Sequence, residues 1–257
     1  TGSPPGPACR TCRFSGPRRH GSHRETEVAT TPPSTCHAGH VGSRLARAAA
    51  VATTAVGAYV LLLRRRQLRW GSSDDEVEAS LPGDELIPHP DLVATRAIGI
   101  RSTPEQVWPW VAQMGQGRGG LYSYDWLENL VGCQMHSTDR VGDEWQDVTV
   151  GDQFRLHPEV ALDVVEVTPP RALVVRGGVS AGGRPTGDDP SAPYDFTWAF
   201  VLVPHDATGT RLVVRERYAY RSRSARPLVE TVSVASFVMT ERMLRGIRDR
   251  AEAQWAA

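Results

Sequence analysis

Glu216 is the residue of this chain best placed, by type and spacing, for acid–base chemistry. It follows Leu212 and Val214 and precedes Tyr218 at intervals of two. If that strand face is concave, a carboxyl points into an apolar interior. Burial there raises a carboxyl's pKa and fits it to act as a general acid or base, with the Tyr218 hydroxyl beside it. The opposite phase, with Val213 inward, turns Glu216 to water as a partner of Arg215 or Arg217. Two nucleophile pairings, Cys133 with His136 and Ser137 with His157, lack a third member and an oxyanion hole. Gly115-Gln116-Gly117-Arg118-Gly119-Gly120 spells the dinucleotide fingerprint. It follows a helical pattern with no parallel βαβ unit around it, so it reads as a hinge. Cys9, Cys12, His20, His23, Cys36, His37 and His40 include a CxxC pair. The gap from Cys12 to His20 is too short for a zinc finger, and no apolar residues lie between them to build one. No metal and no cofactor is expected.

The other candidate residues are apolar or amphipathic. Met114, Trp126, Trp198, Phe200, Met239 and Met243 are of the types that line a hydrophobic pocket or fill a core. Tyr122, Tyr124 and Tyr218 carry hydroxyls that need partners when buried and could bond a ligand or gate a cavity. These nine form the expected ligand-binding set, with Glu216 and Tyr218 the only catalytic candidates.

Charge excludes several classes. All 29 basic residues are Arg. The absence of Lys removes Schiff-base chemistry and the phosphate-loop lysine. Residues 1–71 hold 11 arginines against Glu25 and Glu27, a surplus of nine that the rest of the chain cancels. The body is therefore acidic and carries no basic stripe, so nucleic acid is not an expected partner.

The elements that must position these residues follow from pattern. Residues 1–43 are a basic arm rich in Pro, Gly, Ser and His, read as disordered. The first residue is Thr, which leaves room for a reading frame extended upstream of its true start. Within 44–70 the uncharged run 48–63 is flanked by Arg44, Arg47, Arg64, Arg65, Arg66 and Arg69. It reads as a single-pass membrane anchor, with the larger arginine count placing the following domain in the cytoplasm. Residues 71–90 form an acidic, Pro-containing linker, and 91–257 the folded domain. There, 92–101 alternates as a strand with Ala94, Ile98 and Ile100 on one face. Thr103, Pro104 and Gln106 start a helix that Pro109 should kink, and a short helix after Asp125 stops at Gly132. Strands are expected at 153–157, 161–167, 172–176, 196–204 and 211–220, the last two joined by the turn at 206–209. The segment 177–193 is a polar loop. Residues 228–255 form one long helix with Leu228, Val232, Ala235, Met239, Met243, Ile247 and Ala251 on its apolar face. Strand, two helices, antiparallel strands and a long final helix make an α+β plan.

That order, with VWPWVAQMGQGRGGLYSYDWLENLVG at 107–132, DEWQDVTVGDQF at 143–154 and FVMTERMLRGIRDRAE at 237–252, resembles the SRPBCC superfamily, specifically its actinobacterial polyketide cyclase-like members. The resemblance implies a START-like helix-grip fold, a curved antiparallel sheet wrapping a long C-terminal helix around an apolar cavity. It implies no particular reaction. The expected function is a membrane-tethered binder or carrier of an apolar small molecule such as a lipid, sterol or polyketide. A cyclase or aromatase, and a regulatory membrane protein with a protein partner, are the alternatives. Oligomeric state is left open by the sequence.

Overall fold

The structure is a computed structural model, and it describes residues 39–177 and 192–254. Most of the basic arm with its Cys and His residues, the tip of the polar loop and the last residues, Trp255 among them, lie outside the described residues. Two units are distinguished, Thr1–Ala49 and Ala50–Ala257, and the second holds the whole sheet and the helices packed on it.

Six antiparallel strands form one sheet: β1 Leu92–Ile100, β2 Gln153–His157, β3 Val160–Thr168, β4 Ala172–Gly177, β5 Tyr194–His205 and β6 Gly209–Tyr220, in the order β1-β6-β5-β4-β3-β2. Register shifts between Arg155 and His157 and between Val164 and Glu166 mark irregularities that bend the β2–β4 side. Alternation sends Arg96 and Ile98, Val214 and Glu216, Trp198 and Phe200, and Leu173 and Val175 to one face. On that face lie α4 (Pro104–Ala112), started by the Thr103 N–H donating to the Gln106 side chain at 2.9 Å, and α6 (Ala225–Gln254). The first of these helices continues through Pro109 and ends three residues later. This is an α+β molecule with a curved antiparallel sheet and a long C-terminal helix, consistent with the helix-grip fold.

The opposite face is also covered. Residues 71–90, expected as a linker, lie against it, with α3 (Asp74–Glu78) capped by Ser73. Arg215, 2% exposed, donates to the carbonyls of Glu76, Val77 and Ala79 and pairs with Asp84 at 2.6 Å. Arg211 pairs with Glu76 and Arg217 with Asp84. Leu81 and Leu86 pack on Val174, Ala199 and Val201. The acidic run thus satisfies arginines that point away from the core.

One expectation finds no support and another is corrected. Residues 48–63 fall in α1 (Gly39–Ala58) and a π-helical turn, Tyr59–Leu63, and no helix among the described residues is long and apolar enough to cross a membrane. The helical path is divided at Ala58, where α1 gives way to the π-helical turn. Immediately after it, α2 (Arg64–Leu68) docks on the domain through an Arg64–Glu230 pair and buried Gln67 and Leu68. The apolar face of α6 also differs from the expected stripe. Ala225, Val229, Ser233, Thr240, Met243, Leu244, Ile247 and Ala251 are buried, whereas Leu228 and Val232 are exposed and Met239 is half-buried. The first half of this helix is apolar all round, so periodicity could not choose a face. Polar partners waiting on the sheet chose it.

Candidate functional site

The strand phase settles where Glu216 points: inward, beside the helix. Arg96 stands on the same face of β1, two residues beyond Ala94, the register partner of Glu216. Both side chains are 1% exposed and their ion pair is 2.6 Å long. Glu216 Oε1 also accepts from Ser236 at 2.7 Å and Thr240 at 3.3 Å, both on α6, and Oε2 accepts from Tyr218 at 3.1 Å. Arg96 Nε donates to the Gln67 carbonyl at 3.1 Å, and the Gln67 amide donates to Ser233 at 3.2 Å. Burial in chief, then the Glu216 charge, pushes the Tyr218 phenol well above its ordinary pKa despite Arg96 nearby, so it stays a hydroxyl donor. Three donors meet at Oε1 and one, Tyr218, at Oε2, so Glu216 anchors the helix to the sheet. A buried charge pair survives only with such added hydrogen bonds.

Five buried side-chain polar atoms among the described residues lack a hydrogen-bond partner, and two of them lie on this face of the sheet. Arg96 Nη2 and Trp198 Nε1 are buried without a hydrogen-bond partner, and Trp198 is the register partner of Glu216 across β5 and β6. Around them the aromatic rings of Phe196, Trp198, Phe200 and Tyr218 follow one another at centroid distances of 4.7 to 6.4 Å. Phe237 of α6 lies under the Arg96 guanidinium, 5.7 Å away. The site is an apolar aromatic wall with two unspent N–H groups, a chemistry that recognises a carbonyl or carboxylate oxygen.

The expected ligand-binding residues fall into three places. Trp198, Phe200, Tyr218 and Met243 are buried on the face that carries Glu216, with Met239 half-buried at the helix. Met114 and Tyr122 are buried in the α4 side of the core, where the Tyr122 hydroxyl donates to the Trp110 carbonyl and accepts from Gln113. Tyr124 precedes α5 (Asp125–Leu130), half-buried, and Trp126 within it is 66% exposed. At the sheet–helix interface, where an apolar cavity was expected, Trp198, Phe200 and Met243 belong to one continuous buried cluster. A surface cleft of about 750 Å³ lies elsewhere, lined by Arg140, Arg242, Asp249 and Arg250.

The remaining sequence candidates resolve structurally. Ser137 donates to Asp125 and accepts from the Tyr122 N–H, which holds the chain after α5. Burial and the Glu128 charge push the Cys133 thiol up, away from the thiolate a nucleophile needs. Gly115 and Gly120 exchange backbone hydrogen bonds in a tight loop, and a Cβ on Gly120 would meet Ser137 at 2.6 Å. Sequence reasoning missed Arg96, Gln67, Ser236 and Thr240. The available signal was the phase of Arg96 with Ala94, Ile98 and Ile100, and the i, i+4 spacing of Ser236 and Thr240.

No family model and no curated protein matches this chain. Solved structures do, at low similarity. Protein NE0264 from Nitrosomonas europaea is 16% identical over 65% of this chain and 97% of its own, with a TM-score of 0.40. The hypothetical protein jhp0584 from Helicobacter pylori is 14% identical over 67% and 95%, also at 0.40. CalU16 from Micromonospora echinospora is 16% identical over 64% and 86%, at 0.30. Similarity at this level says nothing of activity, and the fold assignment rests on strand order and helix placement.

Proposed function

We propose that this protein is a non-catalytic binder, of SRPBCC type, for a mostly apolar small molecule that carries one hydrogen-bond acceptor. The observation that carries this reading is the pair of buried, unpartnered donors, Arg96 Nη2 and Trp198 Nε1, set in an aromatic wall. A buried donor without an acceptor costs about 1–3 kcal/mol, and a ligand oxygen seated there recovers it. The helix is fastened unevenly. Its second half is held by Met243, Leu244, Ile247 and Ala251 in the main core, its first half by Ala225 and Val229 in a smaller apolar cluster and by polar contacts from Arg64, Gln67 and Glu216. Fewer buried side chains make the first half the part that opens more readily than the second, and its lifting from the sheet admits the ligand.

Titration of the full chain with a fluorescent fatty acid, read by quenching of tryptophan emission, tests this. Saturable one-to-one binding is expected. Trp198→Phe keeps an aromatic side chain, though a smaller one, and removes the donor, and should weaken binding about tenfold while circular dichroism stays unchanged. Absence of saturable binding to fatty acid and to its methyl ester, together with a ligand-free native mass spectrum, refutes the reading.

A further inference from the structure

One surface is out of keeping with the rest of the acidic body. Arg64 pairs with Glu230 and Gln67 with Ser233. Both partners advance by three residues in the same direction, so 64–68 runs parallel to the first half of α6. On this pair of helices, large apolar side chains face water: Leu62 at 73%, Leu63 at 58%, and Leu228, Val232, Val234 and Val238 at 37–45%. Between 227 and 240 the only charged residue is Glu230, and Arg64 neutralises it. Single exposed leucines are ordinary, whereas six large apolar side chains on two adjoining helices form an interaction surface.

The charge beside it selects the partner. Arg65 and Arg66 are exposed and pair with no carboxylate among the described residues. A cleft of about 250 Å³ is lined by Arg64, Arg65 and Arg69; Arg64 and Arg69 are paired with Glu230 and Asp74, which leaves Arg65 to meet an anion there. Residues 72–257 carry an acidic excess of nine, so the body is repelled by the kind of surface that attracts this edge. We propose that this edge docks the protein on the surface of an anionic phospholipid bilayer. The leucines and valines lie at the acyl boundary, and the arginines lie among the headgroups, without a segment that spans. Since the same edge holds the first half of α6, docking also places the helix that must part for a ligand where apolar molecules are concentrated.

Flotation of the full chain with vesicles of phosphatidylcholine alone, and of phosphatidylcholine mixed with phosphatidylglycerol, tests the docking. Binding to the anionic vesicles only is expected, weakening with salt. Arg65→Gln with Arg66→Gln should weaken it roughly 30-fold, about fivefold for each arginine. Leu63→Asp with Val234→Asp should abolish it while keeping the circular dichroism of the parent. The arginines of residues 1–38 remain in every variant. Unchanged binding by these variants would assign any attraction to that arm and overturn the proposal. So would equal binding to neutral vesicles, or a stable dimer that buries the face and ignores lipid.

Discussion

Replacing Arg96 by Met isolates the energetics of the buried cluster. The substitution keeps an unbranched stem of similar length and removes the guanidinium that lies 2.6 Å from Glu216 at 1% exposure. It leaves a buried carboxylate with three hydroxyl donors, Ser236, Thr240 and Tyr218, and no counter-charge. Breaking a buried pair from one side costs about 3–5 kcal/mol, and the remaining hydroxyls pull this case to the low end. Urea unfolding followed by tryptophan fluorescence reads it directly. At a slope of roughly 2–3 kcal/mol/M the midpoint should fall by about 1–2 M with the slope unchanged. Adding Glu216→Leu to Arg96→Met removes the stranded charge and should restore most of the loss, because apolar replacement of a whole buried pair is close to neutral. A midpoint within about 0.3 M of the parent, or a double variant as weak as the two single losses summed, would refute the account of this cluster.

Two further outcomes are expected. Glu76 is partly desolvated, which pushes its pKa up, yet hydrogen bonds from Arg211 and Ser73 outweigh this and hold it below the ordinary carboxylate value. A lowered folded-state pKa gives stability that is present above the unfolded value and lost as pH falls through the folded one. Amide hydrogen exchange within 71–90, corrected for its intrinsic pH dependence, should therefore lose protection on acidification, and Glu76→Gln should show that loss already at neutral pH. Gly246→Ala places a methyl on the carbonyl oxygen of Tyr122, whose own backbone is left-handed at φ 57. It should cost about 1–3 kcal/mol in thermal unfolding, and an unchanged midpoint would show that α6 does not need this close approach.

The strands were legible because alternation is local: each observed boundary lies within two residues of its expected position. The buried arginine was not. A charged residue in phase with Ala94 and Ile98 reads as an interruption of an apolar face, and its partner Glu216 lies 120 residues away. The same distance problem hid the covering of the outer face. An acidic, Pro-containing stretch has no periodicity of its own, and its meaning depends on three arginines at alternate positions of β6. In α6 the difficulty was excess: Leu228, Val229, Val232, Val234 and Val238 offer apolar residues on every side. The inward face was set by Ser233, Ser236 and Thr240, which look like solvent positions until the carboxylate opposite them is known.

The covering segment and the first strand share a dependence on the end of the chain. Glu76 waits for Arg215 across 139 residues, and Leu92 pairs with Tyr218. During synthesis the early acidic segment and β1 emerge with no counterpart, and neither can settle until β6 has left the ribosome. Closure of so long a loop must be met before any of its contacts reward it. A nascent chain stalled before residue 209 is therefore left with its early half unassembled, whereas one released after residue 220 can close its sheet in a single cooperative event.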